Sequence, residues 1–419
     1  MGQFVAAGAE LTNNQDAAQV IIINTCGFIA DAIDESSQAI AKAASHKSKG
    51  NLKALIITGC YAQRNSSEIL DNYDVDAVVG IGEYGRISEI ISEALQNEVL
   101  QIPNFEKANF DEELFANRIR STPKYMAYVK IAEGCDNHCT YCTIPQIRGA
   151  YRSRSRESIL KEVESLAESG TKEIIIIAQD TALYGLDNYG EQILHELLAD
   201  ISKIPGIHWI RLLYCYPEHI RQELIDEMAN NPKILKYLDM PIQHSSDKIL
   251  DLMGRKSNRA GLIEIIGKLR AAMPDIILRT TLITGFPQES REDFIDICKF
   301  IQEMQFDRLG VFAYSQEKGT PAADMIGQID DKKKENRKNR LMLMQQEISQ
   351  HKLAAKIGQI LEVLIEGKTD VGYHGRSYAD APEIDGMVYI SYMKKPELEI
   401  GSFVKICITD SDEYDLYAE

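Results

Sequence analysis

A chain of 419 residues with 44% hydrophobic content is long enough for two or three domains and at least one large buried core. No stretch approaches the roughly 20 apolar residues of a membrane helix, and the opening Met1-Gly2-Gln3-Phe4-Val5-Ala6 lacks the basic flank and apolar run of a secretion signal, so a cytoplasmic location is expected. A net charge of −17 argues against strong nucleic-acid binding and favours basic partners, and eight cysteines are too few for a disulfide scaffold in a chain of this length.

The first segment, residues 1–115, alternates strand-like and helix-like pieces. Strands are predicted over Val20–Ile23, Lys53–Thr58 and Val75–Val79, with helices over Ala30–Ala44, Ser66–Asn72 and Arg86–Gln96. This is the pattern of a parallel α/β domain. Residues 1–7 read as the tail of a helix closed by Gly8, so the strand that should precede it is missing. A missing interior strand leaves its neighbour without a hydrogen-bond partner, and the true start is expected to lie upstream. The polar stretch from Pro103 to Pro123 reads as a linker.

The second segment, residues 121–356, repeats strand and helix about six times, as in a partial (β/α)6 barrel. The strands are Met126–Ile131, Ile174–Ala178, Trp209–Tyr214, Lys236–Met240, Ile276–Ile283 and Arg308–Ala313. A long charged helix over Asp330–Lys356 closes it, and its run Lys332-Lys333-Lys334 with Arg337, Lys338 and Arg340 reads as a solvated face. Residues 357–419 turn to short alternating strands with Gly and Pro punctuation (Ile360–Ile365, Met387–Ser391, Phe403–Thr409), predicting a small β-barrel.

Glu133-Gly134-Cys135-Asp136-Asn137-His138-Cys139-Thr140-Tyr141-Cys142 directly follows the first barrel strand, at the strand end where such barrels place their active sites. Three soft thiolates on one short loop suit three corners of an iron–sulfur cubane and leave the fourth iron open. A zinc site is the competing reading. It wants four ligands, and the local candidate His138 is adjacent to Cys139 and poorly placed to share one ion.

The Cys-x3-Cys-x2-Cys loop after a strand resembles the radical S-adenosylmethionine (SAM) superfamily. The resemblance implies that Cys135, Cys139 and Cys142 hold a 4Fe-4S cluster whose open iron chelates SAM, and that reductive cleavage of SAM yields a 5′-deoxyadenosyl radical. Over essentially the whole chain the sequence is similar to the methylthiotransferases. Asn24-Thr25-Cys26-Gly27-Phe28 and Thr58-Gly59-Cys60-Tyr61-Ala62-Gln63-Arg64 each place a cysteine just after a strand, and core packing is the plain alternative for both. In that family the two positions ligate a second 4Fe-4S cluster that carries the sulfur to be inserted. The family's third ligand, in a Gly-Cys-x-Lys-Asn segment, has no counterpart here, which leaves the second cluster one ligand short.

Three motifs resemble the branch that modifies an aspartate of a small-subunit ribosomal protein more than the branches that modify transfer RNA adenosine. They are Tyr214-Cys215-Tyr216-Pro217, the run from Tyr237 to His244, and above all Asp380-Ala381-Pro382-Glu383-Ile384-Asp385-Gly386. Residues 357–419 hold five Lys/Arg against thirteen Asp/Glu, so 5 − 13 = −8, the wrong sign for an RNA-binding module and the right one for a basic ribosomal protein. The implied reaction uses two SAM molecules: one methylates the sulfur, and the other supplies the radical that opens the aspartate β-carbon to the methylthio group. An electron-donor protein is a further implied partner. A non-catalytic metal-binding protein is the remaining alternative.

For SAM contacts, the strand-end residues Gln179 and Asp180, with Arg279 and the Gly285-Phe286-Pro287 turn, are the candidates, though polar residues there also cap helices. Cys298 and Cys407 are expected to be packing residues. Gly80-x-Gly82-x-x-Gly85 matches a dinucleotide fingerprint but follows a late strand. Arg148, Arg152, Arg154 and Arg156 suit either phosphate contacts or salt bridges beside the site.

Overall fold

A computed structural model describes residues 2–6, 8–96, 100–102, 118–391 and 397–418, so residues 103–117 of the expected linker lie outside the described residues. Two compact units emerge. The first comprises Met1–Ser121, Glu133–Arg154 and Ser315–Ala323; the second comprises Thr122–Ala132, Ser155–Tyr314 and Asp324–Glu419.

In the first unit four parallel strands, β1 (Val20–Thr25), β2 (Ala54–Gly59), β3 (Ala77–Val79) and β4 (Leu100–Ile102), lie in chain order. Side chains alternate across β2. Leu55 and Ile57 pack with α2 (Ala30–Ala44), α3 (Cys60–Arg64) and α4 (Ser66–Asn72), while Ala54 and Ile56 pack with α5 (Ile87–Ala94). Burial on both faces explains why β2 reads as an unbroken apolar run. The opening helix α1 (Gly2–Ala6) is closed by Gly8 at φ 84°, whose N–H donates to the Val5 carbonyl at 3.0 Å. Among the described residues β1 has one neighbour, β2, and on that exposed flank Val20, Ile21 and Ile22 line a cavity of about 1340 Å³.

In the second unit six parallel strands follow in chain order: β5 (Met126–Lys130), β6 (Glu173–Ile177), β7 (Trp209–Leu212), β8 (Ile234–Asp239), β9 (Ile277–Thr284) and β10 (Arg308–Ala313). They form an open six-stranded sheet, as expected of a partial barrel. Five further strands, β11 (Ile360–Thr369), β12 (Gly372–Ser377), β13 (Val388–Ser391), β14 (Phe403–Ser411) and β15 (Leu416–Ala418), close into a separate small barrel.

The small barrel seals the end of the sheet where the parallel strands begin. Met126, Trp209, Leu235, Tyr237 and Ile277 from the strand starts share one core with Leu364, Ala379 and Ala381. An ionic floor runs through this core. Glu173 is fully buried, 2.8 Å from Arg211 and 2.5 Å from Arg376; Arg308 meets Asp380 at 2.5 Å; Tyr237 donates to Asp385 at 2.6 Å. Asp380 and Asp385 of the motif therefore face inward while Glu383 and Ile384 stay exposed, and these two of the thirteen acids counted on this module are spent on the fold rather than on a partner.

The long helix Asp331–Ala354 corrects one expectation. Lys334 and Arg337 are buried rather than solvated, and Arg337 pairs with Glu289 at 2.6 Å. Every third or fourth residue of the helix faces inward, and that stripe carries charged and amide groups among its leucines and isoleucines, so apolar periodicity alone does not reveal it.

Burial opposes ionisation of Glu173, but Arg376 and Arg211 outweigh it and hold the carboxyl below its ordinary value. A depressed pKa gives stabilisation that is present above the unfolded value, about 4.3, and is lost as pH falls through the folded one. Glu173→Gln leaves two buried guanidinium groups short of a counter-charge and should cost about 3–5 kcal/mol in urea unfolding, with a flatter acid limb than the parent. An unchanged midpoint would show that the floor contributes nothing.

Candidate functional site

The three-cysteine loop belongs to the first unit, as do Cys26 and Cys60. Its shape depends on Gly134, at φ 81°, where an added Cβ would sit 2.1 Å from the Ala150 carbonyl oxygen. Only glycine lets the two ends of the loop approach this closely. The Cys135 N–H then donates to the Gly149 carbonyl at 3.2 Å, and the Tyr151 N–H to Asp136 at 3.0 Å. His138 takes the left-handed conformation at φ 48°, and the Cys142 N–H closes a turn onto the Cys139 carbonyl at 3.0 Å. Backing comes from a third segment of the same unit: Gln146 donates to the Gly319 carbonyl at 2.6 Å and the Ala322 N–H to the Thr140 carbonyl at 2.9 Å.

Sulfur chemistry at this loop suits a metal cluster. Asn137 donates to the Cys135 sulfur at 3.5 Å and the Ile144 N–H to the Cys142 sulfur at 3.4 Å, the N–H···S contacts that stabilise ligand thiolates. Burial, with the neighbouring Cys139 and Cys135 sulfurs, pushes the Cys142 thiol up to about 12. Among the described residues no three His, Cys, Asp or Glu side chains converge on a single-ion site.

Cys26 and Cys60 are the first residues after β1 and β2, whose register pairs Thr25 with Gly59. Adjacent strands lie about 4.8 Å apart, a separation that two ligands of one small cluster can span. The two turns are packed backbone to backbone, since a Cβ on Gly27 would lie 2.6 Å from Tyr61. Arg64 braces the first turn, donating to the Gly27 carbonyl at 3.0 Å and pairing with Glu317 at 2.9 Å, while Glu317 accepts the Ala30 N–H at the start of α2. Cys26 is exposed and Cys60 half-buried, so neither is the fully enclosed core cysteine of the plain alternative.

The SAM candidates belong to the second unit. Among the described residues the buried Oε1 of Gln179 has no hydrogen-bond donor. Asp180 is fully buried with both oxygens engaged, one 2.6 Å from His219 Nδ1 and the other accepting the Ala182 N–H at 3.2 Å, so it braces its turn. Arg279 pairs with Asp239 at 2.8 Å and lies 3.7 Å from Asp385, next to the ionic floor. The sequence reading missed Glu289. This buried carboxylate accepts the Gly285 N–H at 2.5 Å and the Phe286 N–H at 3.2 Å, fixing the Gly285-Phe286-Pro287 turn with Arg337 as its counter-charge. Its signal was the acid placed four residues after a glycine that takes φ 75°.

Other expectations resolve here. Cys407 is exposed on β14 because it falls on the outward side of the alternation, contrary to the packing role assigned to it; Cys298 is buried as expected. The arginine run is occupied by local contacts: Arg148 with Glu133, Arg152 with the Ala150 carbonyl, Arg156 with Glu196 and Asp200, and Arg154 buried. Ile81–Arg86 is a 3-10 turn in which none of Gly80, Gly82 and Gly85 has positive φ, so the glycine cradle of a dinucleotide site is missing.

These features define a radical SAM methylthiotransferase by class. Residues 129–301 match the Radical SAM superfamily, 357–419 the TRAM domain, and 1–80 the Uncharacterized protein family UPF0004. The "Ribosomal protein uS12 methylthiotransferase RimO" of Clostridium botulinum (strain Langeland) is 49% identical over 97% of this chain and 91% of its own length. Its namesake from Acetivibrio thermocellus is 48% identical over 98% and 92%. The chain belongs to the RimO family. In fold it is similar to the radical SAM methyltransferase TsrM of Kitasatospora setae, with a TM-score of 0.54 and 15% identity over 72% of this chain and 65% of that one.

Gly134→Ala should cost at least about 1–3 kcal/mol locally from backbone conformation alone. Hydrogen exchange should accelerate across residues 133–151 and remain unchanged across 360–391. Uniform exchange in both regions would remove the special role given to this glycine.

Proposed function

We propose that this chain inserts a methylthio group at the β-carbon of an aspartate in ribosomal protein uS12, in the cytoplasm, with electrons from a donor protein. The observation that carries the reading is the gathering of five cysteines at strand ends within one compact unit, three of them on a loop supplied with N–H donors to sulfur. The proposed organisation is an α/β domain over 1–115, a radical SAM partial barrel over 121–356 and a TRAM-type barrel over 357–419.

Cys135, Cys139 and Cys142 are the proposed ligands of a 4Fe-4S cluster, and Cys26 and Cys60 contribute to a second. With SAM, such a cluster supplies a 5′-deoxyadenosyl radical strong enough to remove hydrogen from an unactivated carbon. The chain's own residues do the rest by placement. Gly134 lets the loop close, and the Asn137 and Ile144 N–H groups hold the Cys135 and Cys142 sulfurs; Gln179 offers an unengaged acceptor to bound SAM; Arg279 is held charged by Asp239; Asp180 positions the turn that carries Gln179. Glu289 holds the backbone turn beyond β9 in the shape the cofactor meets.

Anaerobically reconstituted protein with a reductant should cleave SAM to 5′-deoxyadenosine and add one methylthio group to a uS12 aspartate, read by peptide mass spectrometry. Cys139→Ala should lose at least about 10³-fold of both, since only the cofactor supplies the hard chemistry. The same gain on a transfer RNA adenosine, with uS12 unmodified, would reassign the substrate.

The acids left exposed on the small barrel suit a basic substrate. Replacing Asp370, Glu397, Glu399 and Asp410 by lysine should lower kcat/KM for uS12 by about tenfold at low ionic strength, with the two proteins converging at high salt. Equal values at low salt would remove the acidic module from substrate capture.

A further inference from the structure

We propose that an aromatic row on the outer face of the small barrel, His374, Tyr389 and Tyr417, takes up arginine side chains of an extended basic polypeptide segment; this rests on the reading above that the substrate is a basic ribosomal protein. The register builds the row. His374 on β12 stands opposite Tyr389 on β13, Tyr389 opposite Tyr417 on β15, and Tyr417 opposite Asp410 on β14. Alternation decides which way the rings point. Val388 and Ile390 flank Tyr389, Leu416 and Ala418 flank Tyr417, and all four belong to the barrel core, so both tyrosines stand outside it. Their rings stack, with centroids 5.7 Å apart and planes at 23°, and Tyr417 is 37% exposed. At the other end of the row a glycine makes room, since a Cβ on Gly367 would lie 2.3 Å from the His374 ring.

The surroundings of the row set the sign of its partner. Tyr417 donates to Asp412 at 2.7 Å, and the same carboxylate accepts the Tyr414 and Asp415 N–H groups at 2.8 and 2.7 Å. One acid thereby fixes the turn that presents Tyr414, which is 55% exposed. Residues 410–415 hold four acids and no Lys or Arg. Bases of a nucleic acid could stack on such rings, but its phosphates would be repelled by these carboxylates. A guanidinium is favoured on both counts. Its plane lies over an aromatic face that attracts cations, and its fork donates to a neighbouring carboxylate, a pairing that the compact ammonium of lysine makes less well. Because cross-strand ring pairs also stabilise a sheet, loss of binding must be told apart from loss of fold.

The test follows the fluorescence anisotropy of a labelled peptide of alternating arginine and glycine with the full chain at low ionic strength, with a lysine–glycine peptide and an oligo-uridylate of matching length alongside. Tyr389→Thr with Tyr417→Thr removes both rings and keeps residues that favour strands, while Tyr389→Phe with Tyr417→Phe keeps the rings. The arginine peptide should bind the parent more tightly than the lysine peptide does, lose about tenfold in the threonine variant and stay within about twofold in the phenylalanine variant. The KM for uS12 should rise in the threonine variant by a similar factor. Equal arginine-peptide affinity in the parent and the threonine variant would overturn the platform, and so would tighter binding of the oligo-uridylate than of either peptide. Should the threonine variant unfold in urea well before the parent, equal affinity of the parent for the two peptides would overturn it instead. A parent that modifies uS12 with a KM shared by the threonine variant would overturn the platform and keep the reading it rests on; a parent that leaves uS12 unmodified would overturn that reading.

Discussion

Three sulfur atoms crowded into one short, desolvated loop set the terms for everything else in this molecule. As thiolates they repel one another, and burial adds to the penalty, as the elevation of Cys142 records. The arrangement makes chemical sense once a polynuclear cation occupies it. Gly134 permits the loop to close, the N–H donors from Asn137 and Ile144 steady the sulfurs, and the segment around Gly319 and Ala322 braces the loop from behind.

The second unit answers a different requirement. A sheet of parallel strands that keeps one end free for chemistry must be closed at the other end. Here the closure is a small barrel whose buried groups meet those of the parallel strands: Asp380 with Arg308, Asp385 with Tyr237, and Arg376 with Glu173, which also holds Arg211. Buried ion pairs of this kind rarely add much net stability against an apolar alternative, but removing one member is costly, so they specify which surfaces meet.

Much of the fold was legible in the sequence because it rests on periodicity. Helix Ala30–Ala44 and strand Arg308–Ala313 have the bounds that their patterns imply, and the six-strand series appears in the expected order. The cysteine loop was legible because its ligands are close in sequence. What escaped was polar bracing that periodicity does not carry: the Arg148 contact with Cys60, the Glu289 carboxylate that fixes the turn just before it, and the buried face of the long helix where Lys334 and Arg337 replace apolar residues. Cys407 was misplaced for a simpler reason, that a one-residue choice of register decides which side of a strand faces the core.

EPR of the anaerobically reduced full chain, with and without SAM, tests the central claim most directly. The spectrum should show a reduced four-iron cluster whose signal changes when SAM is added, and that response should vanish when Cys135, Cys139 and Cys142 are replaced by alanine. Tetrahedral zinc at the loop, or a cluster signal indifferent to SAM, would contradict the account.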